Sequence, residues 1–97
     1  MNHADVRLEQ NEFVLTGNLD FSNVMRVYEK ALPQFKSHST LVFNFADLKT
    51  SNSAGIALMI EWLRAAKRQN KRVTFRNISP QLQSIVEAAG LGSFIHL

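Results

Sequence analysis

No cysteine occurs in the 97 residues, which excludes disulfide staples, thiolate metal sites and cysteine nucleophiles and makes a reducing compartment harmless. Long apolar runs are missing too. The longest uninterrupted one, Ile56 to Ile60, falls far below the roughly 20 residues that span a bilayer. The opening Met1-Asn2-His3-Ala4-Asp5 lacks the basic start and apolar stretch of a secretory leader, so a cytoplasmic location is expected. His3, His38 and His96 stand apart at no metal-ligand spacing, and no metal is expected. Gly55 has no companion glycines with which to cradle a phosphate. The carboxylates are scattered, and no serine-histidine-carboxylate set can be assigned from spacing, so neither an enzyme nor a cofactor is expected.

What is present suits one compact domain over residues 1–97: 45% hydrophobic and 20% charged residues, with no repeat, linker or low-complexity segment. The formal charge is +3, and five of the eleven basic residues lie between Arg64 and Arg72. Such a cluster reads either as the solvated end of a helix or as a contact for an anionic partner. No aromatic interleaves these cations for base stacking, which favours the solvated end.

Val6 to Gln10 and Glu12 to Thr16 alternate apolar and polar residues around Asn11, a hairpin pattern. After the turn Gly17-Asn18-Leu19-Asp20, a helix capped by Ser22 or Asp20 carries Val24, Val27, Tyr28, Ala31 and Leu32 at spacings of three and four. Pro33 ends or kinks it. Leu41 to Phe45 and Val73 to Phe75 read as strands joined by a helix from Ser53 to Asn70, a βαβ unit with a parallel pair. Ser79-Pro80 opens a last helix, and Gly90 supplies its left-handed stop. Phe94, Ile95 and Leu97 are expected to fold back on the core as a last turn or strand.

The middle helix carries more apolar surface than one sheet can cover. Ile56, Met59, Ile60 and Leu63 lie within about 100° on a helical wheel, while Ala54, Leu58, Trp62 and Ala65, with Glu61 among them, gather on the opposite side. The second stripe is either covered by a neighbouring helix or offered to a partner, with Trp62 as the anchor.

The stretch Asp47-Leu48-Lys49-Thr50-Ser51-Asn52-Ser53-Ala54-Gly55-Ile56-Ala57-Leu58, placed after a strand, resembles the signature of STAS domains. That family includes anti-sigma factor antagonists and the tails of sulfate transporters. The resemblance extends over nearly the whole chain, through Asn77-Ile78-Ser79-Pro80-Gln81-Leu82 to Ala89-Gly90-Leu91. It implies an α/β, SpoIIAA-like fold: a mixed sheet of four to five strands packed with three to four helices. The continuation Ala54 to Arg64 is similar to the MlaB-type STAS subunits of the Mla phospholipid-transport ABC complex of Gram-negative bacteria. This implies a non-enzymatic subunit on the ATPase, cytoplasmic and peripheral to the inner membrane through its complex. Lipid contact would then be indirect, and no nucleic acid would be involved.

The runner-up implied by the resemblance is an anti-sigma factor antagonist, released from a partner kinase by phosphorylation of the serine that Ser53 matches. Asn52 stands where many members carry aspartate, a departure that weakens the switch more than it weakens docking. The residues expected to meet a partner are Asn52, Ser53, Ala54, Gly55, Leu58, Glu61, Trp62 and Ala65. For Ser53 itself three roles stand open: capping the helix, lying in a docking patch, and accepting a phosphate. Gly55, costly in a first helical turn, suggests that something approaches the backbone closely.

Overall fold

In the computed structural model, which describes residues 3–92, the chain opens as the expected hairpin. Strand β1 (Ala4–Glu9) pairs antiparallel with β2 (Glu12–Leu19), Glu9 facing Glu12 and Val6 facing Leu15. The two turn residues, Gln10 and Asn11, both have positive φ, 48° and 67°. That is the handedness a two-residue hairpin needs to match strand twist, and asparagine tolerates it. At the far end of the hairpin Gly17 has φ 88°, and an added Cβ would strike the carbonyl of His3. Only glycine lets the two hairpin strands stay this close there.

Helix α1 (Val24–Ala31) starts one residue after Asn23 and is continued by a 3-10 segment, Leu32–Ser37, with Pro33 in its first turn. Proline thus ends the α-helix without ending the helical path. The cap expected at Ser22 or Asp20 is arranged differently. The Asp20 carboxylate accepts from the Ser22 backbone N–H and hydroxyl, while Asn23 accepts from the Asp20 N–H and donates to the Asn18 carbonyl. Lys30 of α1 ties back to β1 through Asp5 at 2.6 Å.

Strand β3 (Thr40–Asn44) and a short strand β4 (Leu48–Ser51) lie in succession along one edge of β2, parallel to it. The stretch Leu48–Ser51 offers no alternation of apolar and polar residues, and no strand is expected there from the sequence. It is held instead by pairing of Thr50 with Asn18 and of Ser51 with Leu19. Helix α2 (Ser53–Arg68) then crosses to β5 (Arg72–Arg76), which pairs parallel with β3 as the βαβ reading required. Helix α3 (Pro80–Ala88) is capped by the Ser79 hydroxyl accepting from the Leu82 N–H, and Gly90 follows with φ 74°. The sheet runs β1-β2-β3-β5, with β4 beside β2. The expected docking of Phe94, Ile95 and Leu97 falls outside the described residues.

A row of phenylalanines crosses three strands: Phe13 pairs with Phe43 and Phe43 with Phe75, with ring centroids 5.0 and 5.7 Å apart. All three are buried, and Leu15 and Leu41 lie on the same face. This is the face the helices cover. The alternate row, Val14, Asn44 and Arg76, looks the other way, and there Glu12 accepts hydrogen bonds from both Asn44 and Arg76. The result is a two-layer α/β domain, one sheet face greasy and the other polar.

Candidate docking surface

The α2 helix begins where the sheet releases it. Its N-cap is Asn52, whose side-chain oxygen accepts from the Ala54 N–H at 2.8 Å. This assigns to Asn52 the capping role that the sequence left open for Ser53. Ser53 is the first helical residue and is exposed, and its hydroxyl makes no hydrogen bond among the described residues.

The outward apolar stripe is a correction. Leu58 is 1% exposed and Trp62 0%, and Ala54, Gly55 and Ala65 are buried with them. Trp62 lies flat on Phe43, centroids 4.1 Å apart and planes 13° off parallel, and its indole N–H donates to the Tyr28 carbonyl at 3.3 Å. The physical reason is that α2 is wedged between two other helices as well as lying on the sheet. α1 covers the side of Trp62, and α3 presses Leu82 against Gly55 from the other. Both stripes are therefore consumed inside the domain. Ile60 and Leu63, assigned to the core from the sequence, are only partly buried at its margin.

Gly55 is explained in the same way. A Cβ there would collide with the Ser51 hydroxyl and stand 3.2 Å from Leu82 Cδ1. The close approach inferred from the glycine is real, and the group that approaches belongs to this chain.

Of the eight residues expected to meet a partner, Asn52 and Ser53 reach solvent and Glu61 is half-buried, paired with Arg64 at 3.6 Å. The structure adds two that sequence reasoning missed. Phe21 and Met25 are 63% and 62% exposed, and with Leu8 they are the large hydrophobics left in water among the described residues. Topology places them with Ser53. Leu19 pairs with Ser51, so β2 and β4 end side by side, and both α1 and α2 start from that end of the sheet. A signal was available: Phe21 and Met25 are four residues apart yet lie off the stripe Val24, Val27, Tyr28, Ala31 that α1 buries.

The surface is therefore a polar helix start flanked by two exposed apolar side chains. Among the described residues, no group of three metal-ligating side chains gathers there or elsewhere. No described helix is long and apolar enough to cross a membrane.

A two-layer domain in which α2 rises from a short signature strand, with Asn52 and Ser53 exposed at its start, is the arrangement of the STAS class. The sequence pattern of the family described as Mlab, STAS domain, matches residues 4–96, and the chain belongs to that family.

Among solved structures, a chain of the Acinetobacter MlaFEDB complex in its ATP-bound Vtrans2 conformation is similar at 28% identity and TM-score 0.82. That match covers 95% of this chain and 97% of the other. The same complex in the Vtrans1 conformation matches at 26% identity and TM-score 0.77, covering 92% and 95%. The fold is shared with the unphosphorylated anti-sigma factor antagonist SpoIIAA, at 22% identity and TM-score 0.72 over 96% of this chain and 85% of that one. No curated protein matches the sequence.

Proposed function

We propose that this chain is a non-enzymatic subunit that docks on the ATPase of an ABC-type phospholipid transport complex and supports it, held to the cytoplasmic side of the inner membrane through that complex. The contact is the Ser53 end: Asn52 and Ser53 at the start of α2, with Phe21 and Met25 beside them. One observation carries the reading. Two of the three large hydrophobics exposed among the described residues, Phe21 just before α1 and Met25 in its first turn, sit at the sheet end from which the signature loop emerges, in a chain that matches a chain of a transport complex over almost its whole length. Exposed apolar side chains next to small polar ones allow close approach and supply anchor area.

The test is co-purification of the host's ABC ATPase with Phe21→Asp, Met25→Asp and Ser53→Asp variants that retain the wild-type melting temperature. Loss of co-purification in the first two is expected. Undiminished capture by all three would remove this surface from consideration.

The second reading is a phosphorylation switch, favoured by the free Ser53 hydroxyl. Having no capping role, it is open to a kinase, and a phosphate there would be stabilised by the start of the α2 dipole. Intact-mass measurement of the protein purified from its own host separates the two. A Ser53 that stays unmodified in the presence of the cognate kinase ends the switch reading.

A further inference from the structure

At the opposite end of α2 the chain forms a groove of about 900 Å³ lined by Leu63, Arg64 and Lys67 of the helix, by Lys71, and by Arg72, Val73 and Thr74 of β5. No carboxylate lines it. Arg64 has Glu61 at 3.6 Å, while Lys67, Lys71 and Arg72 have no ion-pair partner among the described residues. The helix macrodipole accounts for Lys67 in the last turn. It does not account for Lys71 and Arg72, which lie beyond the end of α2 at Arg68.

The second observation is the backbone. β5 pairs with β3 alone, so among the described residues its other edge has no strand. Two bonds fix which groups face that edge: the Arg72 N–H donates to the Ser39 carbonyl, and the Arg76 carbonyl accepts from the Phe45 N–H. In a parallel ladder the direction alternates by residue, so Arg72, Thr74 and Arg76 bond inward to β3. Val73 and Phe75 present both their N–H and C=O groups outward. The groove touches Val73 on the helix-covered face and Thr74 on the open face and reaches Thr40 of β3, so it lies across the start of β5 where this edge begins.

We propose that the β5 edge is a peptide-binding site that takes an extended segment of alternating acidic and apolar residues from a protein partner, added to the sheet as a further strand. Three features select that occupant over other anions. An edge offers acceptors as well as donors, and a lipid headgroup or nucleic-acid phosphate complements only the donors, whereas a peptide backbone complements both. Leu63 and Val73 are partly buried apolar groups in the groove, suited to every second side chain of a strand. The four cations on the rim match carboxylates on the remaining positions. This site shares no residue with the Ser53 surface, and its test is independent of that one.

The probe is a fluorescein-labelled peptide of alternating glutamate and valine, with a lysine–valine peptide as control, read by anisotropy at low salt. Saturable binding of the acidic peptide alone is expected, together with slowed hydrogen exchange at the Val73 and Phe75 amides. Val73→Pro removes an outward N–H and leaves the β3 bonds intact, because proline is tolerated on the free side of an edge strand. It should weaken binding about five- to tenfold, the worth of one hydrogen bond. Lys67→Glu with Lys71→Glu should abolish it.

Absence of saturable binding overturns the proposal. So does binding that leaves the Val73 and Phe75 amides exchanging freely, a result that stands even where Val73→Pro does not fold. If phosphatidylglycerol vesicles or duplex DNA displace the peptide completely, and bind the Val73→Pro variant as tightly as the wild type, charge alone is at work and the strand-addition site is refuted.

Discussion

Gly55 of α2 and Leu82 of α3 pack closely: a Cβ on Gly55 would stand 3.2 and 3.4 Å from the two Leu82 methyls, the nearer of them tighter than ordinary contact. It would also collide with the Ser51 hydroxyl, which donates to the Asn52 carbonyl in the loop leading into the helix. Gly55→Ala is therefore expected to destabilise the domain by about 1–3 kcal/mol despite the better helix propensity of alanine. Urea unfolding measures this. Adding Ser51→Ala should recover part of the loss, because it removes the nearer of the two obstacles; a double variant no more stable than Gly55→Ala would contradict the geometry.

Trp62 is a core residue whose ring faces Phe43 and whose N–H has a carbonyl partner. Trp62→Ala should cost about 3–5 kcal/mol, close to the whole stability of a domain this size. Trp62→Phe keeps the stacking and leaves the Tyr28 carbonyl without its donor, so a smaller loss is expected. Any defect in partner binding by Trp62→Ala should scale with the unfolded fraction. A fully folded variant that had lost only binding would show the tryptophan to be an anchor after all.

Capping of α2 rests on Asn52, so Asn52→Ala should cost about 1 kcal/mol while Ser53→Ala stays within about 0.5 kcal/mol of the wild type. Thermal melts of the two variants decide this. Equal losses would mean that the serine shares the cap.

The Asp5 carboxyl is held below its usual range chiefly by the hydrogen bond from Lys30, assisted by the Val6 N–H and the charges of Lys30 and Arg26, against a smaller opposing effect of burial. A carboxyl whose pKa is lowered on folding stabilises the protein above its unfolded pKa, and that stabilisation fades as pH falls through the folded value. The pair is largely solvent-exposed, so the effect on stability is small. Lys30→Ala should move the Asp5 titration upward toward the ordinary aspartate value, observed by NMR of the carboxyl carbon. An unchanged titration would show that the ion pair does not form in solution.

Periodicity made the hairpin, the β3–α2–β5 unit and the Ser79-capped α3 legible, because each rests on interactions a few residues long: alternation, a positive-φ turn, a cap beside proline. Strand β4 escaped it, since Leu48 to Ser51 is held by backbone pairing with β2 and not by any apolar alternation of its own. The signature loop was legible as well, and so was the departure at Asn52.

What the sequence determined by itself was which residues are apolar and at what spacing, and hence that α2 has more greasy surface than a sheet can use. Which neighbour takes that surface was decided by tertiary structure alone. Local spacing says nothing of which stripe will lie on the sheet or of whether α1 and α3 will close on α2 from both sides; Trp62 comes to rest flat on Phe43 of β3, and Leu58 is buried as well, while Phe21 and Met25 stay in water. The same holds for the cations after Arg64. Their charge is written in the chain, but their gathering beside a strand edge that has no partner strand among the described residues follows from where β5 comes to rest beside β3.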